Sequence, residues 1–259
     1  MGAVLFTELM KLRRSKVPGL TWLAFSVAPL GGALMMWIVK EPGRARSLGL
    51  LGAKARFAGV TADWPAFAGL LAQMAGVGGM LLTAVITAYV FGREYADGTA
   101  KNMLALPVRR EVFVAAKLLV VVAWFGALVV AVFAEGVAVG AVLGLTGFSW
   151  SLIAGAAFDS ALAAAMSCLL VPPVAWIATL GRGYLPPLGF AIFTLVLGNI
   201  FAVTGWAKYF PYSIVPLYTG IAGPRTTVLE PASYAIVLAF AALGTAATMW
   251  QVRAADNAQ

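Results

Sequence analysis

Residues 118–143 read LLVVVAWFGALVVAVFAEGVAVGAVL, a long apolar stretch whose single ionisable side chain is Glu135. An α-helix rises about 1.5 Å per residue, so about 20 apolar residues cross the roughly 30 Å hydrocarbon core of a bilayer. The stretch therefore predicts a transmembrane helix, and this decides the class of fold.

Similar apolar stretches recur along the rest of the chain. The predicted spans cover residues 19–39, 65–91, 118–143, 152–180, 185–203 and 231–250. The chain is 62% hydrophobic and 11% charged, whereas about a quarter of the residues in soluble domains are charged. We predict an all-α integral membrane protein with six transmembrane helices in one domain, residues 1–259. Pro172 and Pro173 predict a kink inside the fourth span, because proline interrupts helical hydrogen bonding.

The distribution of lysine and arginine predicts the orientation of the spans. Eleven of these residues fall in segments on the same side of the membrane as the N-terminus, and seven fall in segments on the other side. Since cytoplasmic loops are enriched in Lys and Arg, both termini are expected in the cytoplasm. The basic segment 40–56 is either a surface-lying helix or a solvated loop. The net charge of +8 follows this topological pattern, so it does not indicate binding to nucleic acid.

Composition also limits the possible chemistry. The chain has no histidine, and its one cysteine, Cys168, lies inside an apolar stretch. Histidine-based metal sites and general bases are thereby excluded, and a membrane-embedded enzyme is disfavoured. No GxxxxGK[ST] loop is present, so no ordinary nucleotide site is expected. A stand-alone secondary transporter or channel remains an alternative, although it predicts matched repeats with broken helices, and no convincing pair is visible.

The N-terminal residues 1–17 form a basic segment directly before the first span. Leu5, Leu9 and Leu12 follow helical spacing and would give one apolar face. This predicts an amphipathic interfacial helix; the alternative is a simple positively charged anchor. The polar residues singled out on it are Glu8, Lys11, Arg13 and Arg14.

Residues 92–110, GREYADGTAKNMLALPVRR, connect the second and third spans. Asp97 and Gly98 indicate a turn, and Thr99 can cap a short helix that Pro107 would end. Such a helix has an apolar patch formed by Met103, Leu104 and Leu106. It is either a cytoplasmic docking element for a soluble partner or an ordinary connector.

These two segments resemble the signatures of the ABC-2 type family of ABC-transporter permeases. The first signature, an E-x-x-K-l-r-r-s-like helix before the first span, is matched by Glu8, Lys11, Arg13, Arg14 and Ser15. The second, E-x-x-x-G-T followed by L-x-x-P-x-x-R, is matched by Glu94, Gly98, Thr99, Leu104, Pro107 and Arg110. Residues 209–216, YFPYSIVP, are similar to the aromatic-proline motif of that family before its last span.

The resemblance implies a membrane subunit that exports a substrate from a bacterial cell across the cytoplasmic membrane. Partners would be a separate ABC ATPase, commonly two copies, and a second permease, identical or homologous. ATP and magnesium would bind to the ATPase, and this chain would hold no cofactor. The ATPase-coupling residues would be Glu94, Tyr95, Gly98, Thr99, Leu106, Pro107, Arg109 and Arg110. Permeases for bacitracin resistance and lantibiotic immunity are the most similar kind, so a peptide antibiotic, a drug or a lipid-like molecule is the expected substrate.

Three polar residues fall inside the predicted spans: Glu135, Asp159 and Asn199. Because charge inside a membrane usually marks a partner or a pathway, they are candidates for a shared polar site. The alternatives are a position near the headgroups or a protonated structural role.

Two further patterns concern the packing of the spans. Gly136, Gly140 and Gly144 form a stripe of small residues that permits close approach of helices, more simply within the chain than in a dimer. The aromatic residues Trp206, Tyr209, Tyr212 and Tyr218 predict an outer interfacial belt and a re-entrant segment between the fifth and sixth spans.

Overall fold

The computed structural model describes residues 1–50, 61–99, 108–221 and 229–254. Within these ranges the chain is helical and has no β-strand. The helices are α1 (Gly2–Arg13), α2 (Val17–Lys40), α3 (Pro42–Ser47), α4 (Trp64–Gln73), α5 (Gly79–Ala96), α6 (Arg110–Val142), α7 (Trp150–Leu169), α8 (Val171–Gly181), α9 (Leu185–Ala202), α10 (Pro211–Thr219) and α11 (Pro231–Ala254). A π-helix, Met74–Gly78, joins α4 to α5, and a 3-10 turn, Ala207–Tyr209, precedes α10.

Six helical segments of the described chain are long and apolar enough to cross a membrane, which confirms the predicted fold class. They are α2, α4 with α5, α6, α7 with α8, α9, and α11. The helix of the third span, α6, begins at Arg110, so it includes residues that precede the apolar stretch at 118–143. Its 33 residues extend for about 50 Å, longer than the hydrocarbon core, so its first turns project beyond the bilayer.

The spans α4–α5 and α7–α8 are interrupted where they contact each other. The predicted kink in the fourth span is a break at Leu170, and α8 restarts with Pro172 and Pro173 in its first turn. In the second span the π-helix leaves the Gly76 carbonyl to accept a hydrogen bond from Ser167 Oγ at 3.1 Å. Irregular backbone is tolerated at membrane depth only where other groups satisfy it.

The short helix α10 enters the interior of the bundle between the fifth and sixth spans. Ile214 and Val215 are fully buried, and Tyr212 is 5% exposed. Trp206 and Tyr209 are exposed, as the predicted aromatic belt requires. The prediction is wrong for Tyr212, whose ring packs edge-on against Phe240 in the core.

The small-residue stripe of α6 packs within the chain. A Cβ atom at Gly136 would lie 2.6 Å from Leu71 Cδ2, and one at Gly140 would lie 2.7 Å from the Trp64 ring. Gly144 lies beyond the end of the helix with a positive φ of 60°. The first two glycines therefore allow α4 and α6 to approach closely.

Polar groups gather at two opposite ends of the bundle. We call the end that holds α1 and the last turn of α11 the terminal face: α1 contacts the start of α6 there, and Arg253 on α11 pairs with Glu111. At the opposite face Lys40 Nζ donates to the Leu143 carbonyl at 2.7 Å. Lys208 pairs there with Glu230 at 2.6 Å.

Candidate functional site

Four charged side chains from three helices meet at the terminal face, and we call them the charge network. Glu8 and Lys11 come from α1, Glu94 from the end of α5 and Lys117 from the projecting part of α6. Glu8 and Glu94 are each 6% exposed, and Lys117 is 3% exposed. Fully buried charges of this kind are rare in proteins unless they are paired.

The two lysines of the network each bridge the two carboxylates. Lys11 Nζ donates to Glu8 Oε1 at 2.6 Å and to Glu94 Oε1 at 3.1 Å. Lys117 Nζ lies 3.2 Å from Glu8 Oε2 and 3.0 Å from Glu94 Oε1. The result is a closed ring of charge-assisted contacts that joins α1, α5 and α6.

Lys117 also donates to the carbonyl of Val90 at 2.7 Å. Its three ammonium hydrogens can therefore be directed at Glu8, Glu94 and Val90. Because desolvation of a charge is costly unless its hydrogen-bonding capacity is met, this full set of acceptors explains how a lysine is tolerated here. The position of Lys117 thus depends on both neighbouring helices.

The pKa values of the two residues on α1 reflect the network. Burial would raise the pKa of the Glu8 carboxyl, but Lys117 and Lys11 outweigh it and hold that pKa below its usual value. Burial would likewise lower the pKa of Lys11, whereas Glu8 and Glu94 raise it above the ordinary value. Both groups therefore keep their charge over a wider pH range than they would in an unfolded chain.

An open cavity of about 590 Å³ adjoins the network. Its polar floor includes Glu8, Lys11 and Lys117, and its apolar wall includes Val4 and Phe113. Thr99 and Val108, the described residues on either side of the gap at 100–107, also line it. The cavity therefore opens beside the segment that the sequence predicts to couple with a partner.

The end of α5 has a regular helix stop within residues 92–110. Gly98 adopts a positive φ of 66°. The N–H of Thr99 donates to the Glu94 carbonyl at 2.9 Å, and that of Gly98 to the Tyr95 carbonyl at 3.3 Å. This pair of bonds is a Schellman motif, for which glycine is preferred. The predicted turn at Asp97 and Gly98 is therefore present, and it lies directly after Glu94.

The predicted coupling residues fall into three groups. Glu94 belongs to the charge network, while Tyr95 is half-buried and Gly98 and Thr99 are exposed. Arg109 is exposed at the start of α6, and Arg110 Nη1 donates to the Val252 carbonyl at 3.2 Å. Leu106, Pro107 and the predicted short helix lie outside the described residues.

The predicted N-terminal helix is present as α1, with a different distribution of faces. Leu12 is buried together with Glu8, whereas Leu9 is 43% exposed and faces away from the protein. Arg13 and Arg14 are exposed. The inward face of α1 is thus defined by a carboxylate as well as by leucine, a feature that the apolar spacing did not indicate.

Lys117 is the functional candidate that sequence reasoning missed. It directly precedes the apolar stretch that starts at Leu118, where a basic residue ordinarily serves only as a topological charge. The helix extends further toward the N-terminus than the apolar stretch does, which places Lys117 opposite Glu8 and Glu94. A lysine directly before a span, with acids at the membrane-side ends of other helices, is the signal that could have identified it.

The three intramembrane candidates have different partners. Glu135 Oε2 accepts from Ser26 Oγ at 2.6 Å, and Asp159 Oδ1 accepts from Tyr218 OH at 2.8 Å. Asn199 is exposed and donates to the Leu195 carbonyl within its own helix at 2.8 Å. Among the described residues, no cluster of three or more acidic or cysteine side chains could hold a metal ion.

Comparison with known proteins gives two matches and one negative result. Residues 4–198 match the model of a family described as ABC-2 family transporter protein. The chain is 28% identical over 164 residues to the bacitracin transport permease protein BCRB of Bacillus licheniformis, covering 58% of this chain and 79% of that protein. No solved structure matches.

Proposed function

The chain belongs to the ABC-2 transporter family and is a multi-pass membrane subunit of an ABC transporter, and from this premise we propose that it exports its substrate with energy from ATP hydrolysed by a separate subunit. The ATPase is proposed to dock at the terminal face, on residues 92–110. ATP and magnesium would bind to that partner.

The charge network is the observation that carries this proposal. Glu94 lies four residues before Gly98, where α5 stops and the docking segment begins. Through Lys11 and Lys117 it contacts α1 and α6 at once. A displacement of the docking segment would therefore move the ends of three helices, and not the connector alone. This is what the transmission of ATPase closure to the spans requires.

The proposed orientation in the membrane rests on the basic residues of the terminal face. Residues such as Lys11, Arg93 and Lys117 belong to the terminal face, while Lys40 and Lys208 belong to the opposite face. The predicted division of eleven basic residues against seven therefore favours a cytoplasmic terminal face, in the cytoplasmic membrane of a bacterium. The docking segment would then be accessible to a cytoplasmic ATPase.

The substrate class is proposed from the similarity to a bacitracin transport permease. We propose an amphipathic molecule such as a peptide antibiotic, a drug or a lipid-like compound. Export would take place at an interface with a second permease, either another copy of this chain or a homologue. The apolar lipid-exposed surfaces of α9 and α11 leave room for such a neighbour.

Co-purification and a paired substitution test the proposal. The tagged chain is purified from its native membranes, and we expect an ABC ATPase in the complex, with magnesium-dependent ATP hydrolysis that is absent from the chain alone. Glu94→Gln should reduce the bacitracin resistance that the wild-type complex confers by about tenfold, the size of a typical coupling between sites, while the purified complex retains the ATPase. The matched control Glu230→Gln changes an exposed acid at the opposite face and should leave resistance unchanged. ATP turnover by the chain alone, or unchanged resistance with Glu94→Gln, would contradict the proposal.

A further inference from the structure

A second groove, of about 350 Å³, runs along the outer side of α1. It is lined by the cationic side chains of Lys11, Arg14 and Arg93 and by the apolar side chains of Phe6 and Met10. We propose that this groove binds the headgroup of an anionic phospholipid, with the two arginines on the phosphate and Phe6 and Met10 against the acyl chains.

The groove lies where the chain enters the bilayer. Helix α1 ends at Arg13, and the first span begins at Val17. This places the groove at the level of the headgroups, the depth at which amphipathic helices bind. Phe6 is 64% exposed, so most of its ring has no protein neighbour. An acyl chain is the apolar group available at that depth.

The local charge favours an anionic occupant. The carboxylates near the groove are Glu8, Glu94 and Asp97. The cationic side chains are Lys11, Arg13, Arg14, Lys16, Arg93 and Lys117. Within the described part of the chain, Arg13, Arg14 and Lys16 form no ion pair. Positive charge therefore exceeds negative charge where a phosphodiester would approach, and basic clusters beside a span attract anionic lipids for this reason.

The arginines, rather than the hydroxyl groups, are placed to donate to a phosphate. Thr7 Oγ1 already donates to the Ala3 carbonyl at 2.9 Å, and Ser15 Oγ to the Leu12 carbonyl at 2.7 Å.

Arg93 is held in position by its own helix. Its Nε donates to Asp97 Oδ2 at 3.1 Å, and its Nη1 donates to Tyr89 OH at 3.1 Å. This leaves the Nη2 hydrogens for a phosphate. Guanidinium groups are well suited to this recognition, because their planar donors match phosphate oxygens.

Occupation of the groove would also affect the charge network. Lys11 lines the groove and bridges Glu8 and Glu94. A phosphate beside its ammonium group would compete with those carboxylates, so the bound lipid is in contact with the proposed transmission path.

Native mass spectrometry of the full chain in a neutral detergent tests the inference. Phosphatidylglycerol and phosphatidylcholine with identical acyl chains are added at equal concentration, and the bound lipids are counted. We expect preferential binding of phosphatidylglycerol and about fivefold weaker binding to Arg14→Gln, the size expected for one arginine at an anionic surface. Arg46→Gln, which removes an exposed arginine at the opposite face, serves as the matched control.

Two kinds of outcome would overturn the inference. Equal binding of the two lipids, or equal losses with Arg14→Gln and Arg46→Gln, would show that the groove does not select an anionic headgroup. Displacement of the lipid by inorganic phosphate at comparable concentration would identify free phosphate, not lipid, as the ligand. Neither outcome depends on an ATPase or on export, so failure here is distinguishable from failure of the proposed function.

Discussion

Lys117 is the residue on which the arrangement of the terminal face depends. Its ammonium group contacts Glu8, Glu94 and the Val90 carbonyl, and its side chain is 4% exposed. A buried ion pair gains little over a well-packed apolar pair, but removal of one partner leaves an uncompensated charge. The structure has two buried carboxylates whose charge is compensated by this lysine together with Lys11.

We expect Lys117→Met to lower the free energy of unfolding by about 3 kcal/mol, because Glu8 and Glu94 would remain buried with only Lys11 to compensate them. Unfolding in mixed micelles by titration with sodium dodecyl sulfate measures the change. Lys208→Met is the matched control: it breaks an exposed ion pair with Glu230, and such pairs contribute little. Equal losses for the two variants would show that burial of the network contributes nothing.

At this residue scale the sequence predicted part of the site. Glu8, Lys11 and Glu94 were identified through motif resemblance, but their mutual contact could not be, because 83 residues separate Lys11 from Glu94. Lys117 was missed since charge next to an apolar stretch is ordinarily topological. Local patterns indicate which residues matter, whereas their pairing depends on how distant helices pack.

Among the elements, α10 lies where the sequence predicts a re-entrant segment, between the fifth and sixth spans. It contains two prolines, Pro211 and Pro216, yet it is packed between spans rather than placed at the surface. Its entry depends on close backbone approach: Gly198 of α9 lies against the Tyr212 carbonyl, and Gly76 of the π-helix lies against Thr219. A re-entrant segment can be suggested from its aromatic residues, but these two contacts cannot, because they involve glycines of other spans.

We expect Gly198→Ala to lower the melting temperature of the purified protein, while Gly189→Ala on the same helix leaves it unchanged or slightly raises it. A Cβ at position 198 would lie 2.6 Å from the Tyr212 carbonyl oxygen, whereas one at 189 meets nothing within 4 Å. Overpacking of this kind costs about 1–3 kcal/mol. Differential scanning fluorimetry in detergent measures both variants. Equal melting temperatures would mean that α10 does not require this close contact.

For the whole molecule, the spans were predictable and the interruptions were predictable only in part. Six apolar segments follow from local composition, and the structure confirms them. The break near Pro172 was indicated by the sequence, since proline removes a donor. The π-helix at Met74–Gly78 was not, because its backbone is satisfied by Ser167 of another span. The fold class thus follows from the apolar composition that a bilayer requires. The course of the chain inside the bundle depends on contacts between spans.

The orientation of the molecule decides whether an ATPase can reach its docking segment. In a Cys168→Ala background, Thr99→Cys places a thiol beside that segment on the terminal face, and Ser151→Cys places one at the opposite face; both positions are exposed. We expect a membrane-impermeant maleimide to label Ser151→Cys on intact cells and Thr99→Cys only in inverted vesicles, because basic residues favour a cytoplasmic terminal face. Labelling of Thr99→Cys on intact cells would show that the docking segment lies outside the cell, where no cytoplasmic ATPase could reach it.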